Sequence, residues 1–345
     1  MPEMVRLWAA SAVTLGLAEG RIARCGQTRC LNLMLTYAEG CPAHCAYCGE
    51  AGRDVETLGL SPHAPASWPL ASFLHIVDLV EAEGAATHFQ RVCIATTGHP
   101  RGPADTAQLV KVLRRRLPAM PVSVLFNPAD DRAAAQIATL AGLGIDSLSI
   151  GLDVATPDLF ETLRGDGRNG GLSWQRCWDA LGCAISLFGR NRCGVHLVAG
   201  LGESERQLLE VVAQVKAMGG ASRLFAFRPE PGSDLVRRPA IPRDQWRRLQ
   251  LARYLIDCDD VPLERMSFDD DGRVVGFGIL PIKLNALITA GTAFRTSGCR
   301  GGVDGDISAC NRPWMDSPPD DIASFPTAPS PKDQRRIRRQ LGAER

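Results

Sequence analysis

The sequence has 345 residues, 45% of them hydrophobic, which is enough to bury one barrel-sized core or two smaller ones. Its formal net charge of +1 argues against a surface that attracts nucleic acid or an anionic membrane. No run of about eighteen apolar residues occurs, and the N-terminus does not resemble an export signal. We therefore expect a cytoplasmic protein with no nucleic-acid or membrane partner.

Twelve cysteines are a large number for such a chain. In a small secreted protein they would indicate disulfides, but a long chain without an export signal is expected to work in a reducing compartment. Iron–sulfur chemistry explains the cysteines better than disulfide bonds do.

Strand-like and helix-like patterns alternate along the chain from Leu31 onwards. Short apolar runs bounded by turn residues predict strands, and apolar residues at helical spacing predict helices. The predicted strands cover residues 31–36, 91–97, 122–126, 147–153, 194–198 and 224–227, and the predicted helices cover residues 71–83, 106–117, 131–143, 173–188, 205–218 and 243–255.

This alternation predicts an α/β fold in which parallel strands are joined by helical crossovers. The number of repeats favours a (β/α) barrel, full or partial, over a doubly wound sheet, which would need a dinucleotide fingerprint that the sequence lacks. We expect the barrel over residues 31–290, an N-terminal extension over 1–30, and a C-terminal extension over 291–345 that ends in a basic, helix-capable segment. The carboxyl ends of the strands should meet at one mouth.

The strand over 31–36 leads into Cys41-Pro-Ala-His-Cys45-Ala-Tyr-Cys48, which places three cysteines within eight residues. Zinc sites favour four ligands from paired C-x2-C elements. One compact loop with three cysteines instead suits a [4Fe–4S] cluster in which three irons are held and one stays open. We assign Cys41, Cys45 and Cys48 as cluster ligands and catalytic residues.

This C-x3-C-x2-C loop, with the aromatic Tyr47 before its last cysteine, resembles the cluster loop of radical S-adenosylmethionine (SAM) enzymes. The resemblance implies that the open iron binds the amino and carboxylate groups of SAM. Thr97 and Gly98 follow the second strand, where this family has a glycine-rich segment that contacts SAM. The match there is partial, because the usual Gly-Gly-Glu is missing.

Three further segments resemble the biotin synthase and lipoyl synthase branch of the family: the strand that ends at Asp153, the stretch 158–165, and the turn at Gly200 and Gly202. By this resemblance Asp153 would hold the SAM ribose hydroxyls and Arg164 the methionyl carboxylate, roles that suit a carboxylate and a guanidinium. A surface arginine at a helix end is the alternative for Arg164. Glu203 fits the turn motif and equally fits an acidic residue favoured by the helix dipole.

Four more cysteines flank the predicted barrel. Cys25 and Cys30 precede it, and Cys299 and Cys310 follow it. Because the two chain ends of a barrel come together, we expect the four to meet at one side of the mouth and to bind an auxiliary [4Fe–4S] cluster. The remaining cysteines, Cys93 among them, are explained by burial.

A second cluster beside a radical SAM site resembles the arrangement in lipoyl synthases, where the cluster is the source of sulfur. The Ser-Gly-Cys299 and Cys310-Asn-Arg-Pro ending resembles the two-protein lipoyl synthases in particular. The resemblance implies that a 5′-deoxyadenosyl radical removes hydrogen from C6 or C8 of a protein-bound octanoyl chain, which then takes sulfide from the auxiliary cluster. The implied partners are an octanoylated lipoyl-carrier domain, a second synthase component, and an electron donor such as ferredoxin or flavodoxin.

Two alternatives remain open. One is a biotin-synthase-like radical SAM enzyme that acts on a free small molecule, although such enzymes use a cluster held by an arginine inside the barrel. The other is a non-enzymatic iron–sulfur carrier, which would not need Asp153, Arg164 or the turn at Gly200.

Overall fold

The structure is a computed structural model that describes residues 2–25, 28–50, 68–84, 87–169, 171–299, 308–313, 318 and 320–342. Its strands are β1 (Met4–Leu7), β2 (Cys30–Leu35), β3 (Leu70–Ser72), β4 (Arg91–Ala95), β5 (Val122–Phe126), β6 (Ser147–Asp153), β7 (Cys193–Ala199), β8 (Ala221–Ala226), β9 (Ser267–Phe268) and β10 (Val274–Gly276). Its helices are α1 (Ala9–Thr14), α2 (Phe73–Glu83), α3 (Gly102–Arg116), α4 (Ala133–Gly142), α5 (Pro157–Leu163), α6 (Asp166–Asn169), α7 (Trp174–Phe188), α8 (Glu205–Met218), α9 (Arg243–Asp259), α10 (Pro281–Ala290) and α11 (Pro331–Gln340).

Eight strands form one sheet in the order β3-β1-β2-β4-β5-β6-β7-β8. The six strands from β2 to β8 in this order are parallel, whereas β1 and β3 pair antiparallel at one side. In the described part of the chain the sheet stays open, with β3 and β8 at its edges. The predicted α/β class and partial (β/α) barrel are confirmed, and residues 4–7 of the expected N-terminal extension belong to the barrel sheet itself.

The two faces of the parallel strands differ in character. On β4, Val92 and Ile94 are fully buried in the main hydrophobic core, while Cys93 faces the inside of the barrel. The cross-strand partners Asn32, Cys93, Ser123 and Ser147 continue this inner face across four strands. Because small and polar side chains occupy these positions, the barrel interior keeps an open space instead of the layers of branched residues that fill many barrels.

Local sequence signals explain most helix boundaries. Ser72, Thr156, Ser173 and Ser204 each accept a hydrogen bond from a backbone N–H of the first helical turn. The predicted helices and strands all occur, most with bounds shifted by a few residues, while the strands β1, β3, β9 and β10 and the helices α1, α5, α6 and α10 were not predicted. Of the helices that are described, none is long and apolar enough to cross a bilayer.

Candidate functional site: two groups of cysteines and one chamber

The loop of residues 41–48, here called the mouth loop, follows β2 at the carboxyl ends of the parallel strands. Backbone hydrogen bonds tie it to neighbouring segments: the N–H of His44 donates to the carbonyl of Arg168 (2.8 Å), and the N–H of Ala46 donates to that of Leu163 (2.9 Å). The N–H of Gly49, just after the loop, donates to the carboxylate of Glu230 (2.8 Å). The three thiols therefore sit on a backbone that is fixed before any cluster binds.

Side chains from three elements meet beside the mouth loop. The hydroxyl of Tyr47 donates to Oδ2 of Asp153 (2.6 Å), and Nη1 of Arg164 lies 2.7 Å from the same oxygen. Nη1 of Arg164 also lies 3.5 Å from Sγ of Cys45, and its Nη2 donates to Oδ1 of Asn127 (3.1 Å). Arg164 is therefore a buried group at the site and not a surface arginine at a helix end.

The backbone around Asp153 explains how this group forms. Asp153 has φ of +64°, and the pairing of β6 with β7 shifts register between Gly151 and Asp153. Such a bulge re-aims the side chain at the strand end. A Cβ on Gly151 would lie 3.0 Å from Nη2 of Arg164, so glycine makes room for the guanidinium.

Thr97 and Gly98 lie against the mouth loop. A Cβ on Gly98 would approach Cβ of Ala43 to 3.1 Å, and the Gly98 backbone hydrogen-bonds the thiol of Cys41. The hydroxyl of Thr97 is buried and has no hydrogen-bond partner among the described residues. A buried hydroxyl without a partner beside the mouth loop is typical of a site that binds a polar ligand.

Gly200 and Gly202 form the turn after β7, with φ of +103° and +131°. The carboxylate of Glu203 accepts hydrogen bonds from the N–H groups of Gly200 (2.6 Å) and Leu201 (3.0 Å). Glu203 thus stabilises its own turn. A Cβ on Gly202 would lie 3.3 Å from Leu159 on α5, so the turn packs against the helix that leads to Arg164.

A second group of cysteines lies away from the mouth loop, where the parallel strands begin. Cys30, Cys299 and Cys310 are buried together with Cys93 packed against them. We call these four residues the amino-end thiols. Cys30 is the first residue of β2, and Cys299 accepts a hydrogen bond from the hydroxyl of Ser147, the first residue of β6 (3.8 Å).

This placement corrects two expectations. The flanking cysteines Cys30, Cys299 and Cys310 do come together, but at the amino end of the strands and not beside the mouth, because Asn311 and Cys299 of the C-terminal segment accept hydrogen bonds from Arg29, just before β2, and from Ser147, the first residue of β6. Cys93, which was expected to be simply a buried strand residue, packs against this group. The backbone of Cys25 ends a short 3-10 turn, Ala23–Cys25, and its side chain lies outside the described part of the structure.

The amino-end thiols contact one another closely. Hydrogen bonds from the thiols of Cys30 and Cys93 hold the pKa of Cys310 well below its usual range. Burial raises the pKa of Cys30. A Cβ on Gly298 would clash with the carbonyl oxygen of Cys310. Only glycine therefore allows the backbone at these two positions of the C-terminal segment to approach so closely.

A chamber of about 240 Å³ inside the barrel borders on Cys93, Cys299 and Cys310. Its apolar wall is formed by Leu33, Met34, Trp68, Ala95, Val124, Leu125 and Phe225. It extends to Thr96, the residue before Thr97 at the mouth. His196 also lines it, and burial, together with Arg312 and Arg223, lowers its pKa to about 3, so this imidazole is neutral.

Arg312 lies on the chamber wall with only 5% of its surface exposed. Its guanidinium carbon is 3.8 Å from the ring centre of Phe225, and none of its three nitrogens has a hydrogen-bond partner among the described residues. Its charge is balanced only by the ring of Phe225 and by the nearby thiol of Cys310, whose pKa it helps to lower, as far as the described residues show. An anionic group in the chamber would offset this buried charge.

Comparison with known proteins decides the family. Residues 35–215, just over half of the chain, match the sequence profile of the Radical SAM superfamily. The chain belongs to this superfamily. Its members bind a [4Fe–4S] cluster and SAM, and the mouth loop, with the partnerless hydroxyl of Thr97 and the guanidinium of Arg164 beside it, fits these two groups.

Curated relatives of this radical SAM protein include two biotin synthases. That of Parafrankia sp. (strain EAN1pec) is 26% identical over 208 residues, and that of Nocardioides sp. (strain ATCC BAA-499 / JS614) is 27% identical over 216 residues. Each alignment covers 59% of this chain and 51% of the relative, so the chain spans about half the length of the curated relatives it matches. These matches support a biotin-synthase-like branch.

Among solved structures, the crystal structure of HydG, a maturase of the [FeFe]-hydrogenase, aligns with a TM-score of 0.50 at 13% identity. The alignment covers 72% of this chain and 54% of HydG. At this identity the likeness concerns the fold alone.

Among the described side chains, no three His, Cys, Asp or Glu residues converge on one point as the ligands of a single metal ion would. The thiolates of a cubane cluster each bind a different iron, so they surround the cluster instead of converging.

Three residues at these sites were not predicted from the sequence. Asn127 directly follows β5, so the rule that placed Asp153 at the mouth would also have found it. Cys93 shares the inner face with Asn32, its cross-strand partner, which strand alternation would have indicated. Arg312 lies within the Cys310-Asn-Arg-Pro ending that resembles the two-protein lipoyl synthases, but no role was predicted for it.

Proposed function

We propose that this radical SAM protein inserts sulfur into a protein-bound octanoyl chain, as one component of a two-protein lipoyl synthase. The observation that carries the proposal is the pair of cysteine groups, one at the mouth and one at the amino end, with the chamber between the strands bordering the second. When loaded, the mouth cluster supplies a 5′-deoxyadenosyl radical from SAM, and an auxiliary [4Fe–4S] cluster at the amino-end thiols would supply sulfide.

The mouth residues would hold SAM from several sides. Cys41, Cys45 and Cys48 would bind three irons, Arg164 would pair with the methionyl carboxylate, and Asp153 would accept the ribose hydroxyls. In the structure the guanidinium and the carboxylate pair with each other at 2.7 Å. SAM would replace this contact with contacts to its own charged and polar groups, so neither side chain is left buried and unpaired.

The chamber suits an unbranched acyl chain. Its apolar wall would hold methylene groups and keep water away from a radical, and positioning is what an unactivated C–H bond requires. The octanoylated carrier domain, a second synthase component and an electron donor such as ferredoxin or flavodoxin are the partners we propose. We also propose that the barrel domain covers residues 31–290, with an extension before it, whose β1 joins the sheet, and an extension after it.

A second candidate is sulfur insertion into a free small acid. It is supported by the similarity to biotin synthases and by Arg223 and Arg312, which both line the chamber and would attract a carboxylate. An octanoyl-lysine is uncharged and offers these two guanidinium groups no counter-charge. In the first candidate, an anionic auxiliary cluster at the amino-end thiols would supply that charge.

The test compares the parent protein with Cys299→Ala and with Cys258→Ala, a control that removes an exposed thiol. Each protein is given SAM, a reductant, the partner component and an octanoylated carrier peptide, and both 5′-deoxyadenosine and the mass of the peptide are followed. We expect the parent and the control to add sulfur. The Cys299→Ala protein should still form 5′-deoxyadenosine without changing the peptide.

Sulfur addition by the Cys299→Ala protein would refute the role of the amino-end thiols. If all three proteins cleave SAM and none changes the peptide, the substrate assignment fails, and sulfur addition to a free carboxylic acid would favour the second candidate.

A further inference from the structure

Cys93 lies in an unusual place for a cysteine that serves only as a small apolar side chain. Its cross-strand partners on the inner face are Asn32 and Ser123, both polar, while the apolar core is on the other side of β4. It borders the chamber and is only partly buried. Apolar packing, the usual reason for a buried free cysteine, does not explain it.

Its contacts are with other thiols. The side chains of Cys30, Cys93 and Cys310 are within hydrogen-bonding distance of one another, and Cys299 belongs to the same buried group. Cys310 also lies 3.5 Å from Oδ1 of Asn32, the residue paired with Cys93. Four thiols from three separated segments thus meet, and three of them, Cys93, Cys299 and Cys310, border the chamber.

The surroundings fit a group with negative charge. A [4Fe–4S] cluster with four thiolate ligands is an anion, and the buried guanidinium of Arg312 next to these thiols stacks on Phe225 and has no hydrogen-bond partner among the described residues. Such a cluster would give the guanidinium its counter-charge. The neutral His196 beside it does not compete for that role.

We propose that Cys93 is a ligand of the auxiliary cluster and completes, with Cys30, Cys299 and Cys310, its set of four thiolates. This inference rests on the proposed function only in requiring a second cluster. It places the fourth ligand at Cys93 on β4, and not at Cys25, the residue expected from the sequence.

The experiment uses the full chain in which Cys41, Cys45 and Cys48 are all replaced by Ala, so that any cluster present belongs to the amino-end thiols. Iron and acid-labile sulfide are counted after anaerobic reconstitution, and the reduced protein is examined by electron paramagnetic resonance. This background protein should hold about four irons and about four sulfides.

Adding Cys93→Ala should leave a cluster with three thiolate ligands, whose g values differ from those of the background protein and whose unligated iron is readily lost, so that the iron content falls to about three per chain. Adding Cys93→Ser should retain a cluster whose resonance g values differ from those of the background protein, because an oxygen ligand replaces a sulfur. Adding Cys25→Ala should leave both the count and the g values unchanged. Cys177→Ala, which removes a buried thiol on α7, is the control for general loss of packing and should also retain the cluster.

Full iron content with unchanged g values in both Cys93 variants would overturn the inference, and a loss of iron in the Cys25 variant alone would move the ligand to Cys25. If the background protein binds no iron at all, the second cluster is absent, and the proposed function fails together with the inference.

Discussion

The two groups of cysteines are built in opposite ways. The mouth loop draws its three thiols from eight consecutive residues and holds them by backbone hydrogen bonds from neighbouring loops. The amino-end thiols come from β2, β4 and the C-terminal segment, and close packing at Gly298 brings them together. The three thiols of the mouth are therefore neighbours in the sequence, whereas the amino-end thiols are brought together only by the tertiary fold.

Two arginines show the same contrast. Arg164 at the mouth meets Asp153, Tyr47, Asn127 and Cys45. Arg312 at the amino end is as deeply buried and has no hydrogen-bond partner among the described residues. The mouth arginine is thus held by several hydrogen bonds, while the amino-end arginine is held by the ring of Phe225 and has none that is described.

The largest expected effect tests the independence of the two sites. Cys45→Ala should abolish 5′-deoxyadenosine formation, because it removes one of three ligands of the cluster that cleaves SAM, and it should leave the iron of the amino-end thiols in place. The measurement is product formation with dithionite and SAM, together with iron content. SAM cleavage by this variant would contradict the assignment of the mouth loop.

Arg164→Ala should weaken SAM binding by about 1.5–3 kcal/mol, or roughly 10- to 150-fold in Kd, because a charge-assisted contact is lost. Equilibrium binding to the anaerobic protein measures this directly. Arg206→Ala, which removes an exposed arginine on α8, is the matched control and should bind SAM as the parent does. Parent-like affinity in Arg164→Ala would count against a contact with the methionyl carboxylate.

Arg312→Leu should stabilise the cluster-free protein by about 1–3 kcal/mol, because it removes a buried charge that has no hydrogen-bond partner among the described residues. Arg164→Leu should have the opposite sign, since it leaves Asp153 without its cation. Urea unfolding of the cluster-free proteins gives both values. If both substitutions destabilise the fold, the contrast between the two arginines is wrong.

The smallest expected effect concerns His196. Its folded-state pKa of about 3 lies below the ordinary value, so protonation favours the unfolded chain. The stability that this imidazole contributes is complete above about pH 6.5 and is lost as the pH falls towards 3.

The free energy of unfolding of the parent should fall between pH 7.5 and pH 5, and that of His196→Gln should fall by about 1 kcal/mol less. This value is reduced for solvent screening, because the side chain faces the chamber and is partly accessible. His75→Gln, at an exposed position on α2, should leave the pH dependence unchanged. Equal pH dependence in parent and His196→Gln would show that the imidazole is solvated.

The sequence was informative wherever the signal is local. The alternation of strands and helices predicted the sheet, and the spacing of Cys41, Cys45 and Cys48 predicted one site, because both depend on neighbouring residues. The antiparallel β1 and β3 were missed, since short edge strands carry little pattern. Cys93 and Arg312 were missed because their significance comes from contacts with residues that are distant in the sequence, Cys30 and Cys310 for Cys93 and Phe225 for Arg312.

The most direct test of the account is the origin of the inserted sulfur. The protein is reconstituted with ³⁴S-labelled sulfide, freed of excess sulfide, and allowed one turnover with SAM, reductant, the partner component and octanoylated carrier peptide. The account predicts that the thiolated peptide carries ³⁴S in the parent and that no thiolated peptide forms with Cys299→Ala. A thiolated peptide with sulfur of natural mass would contradict it, because the donor would then lie outside the amino-end thiols.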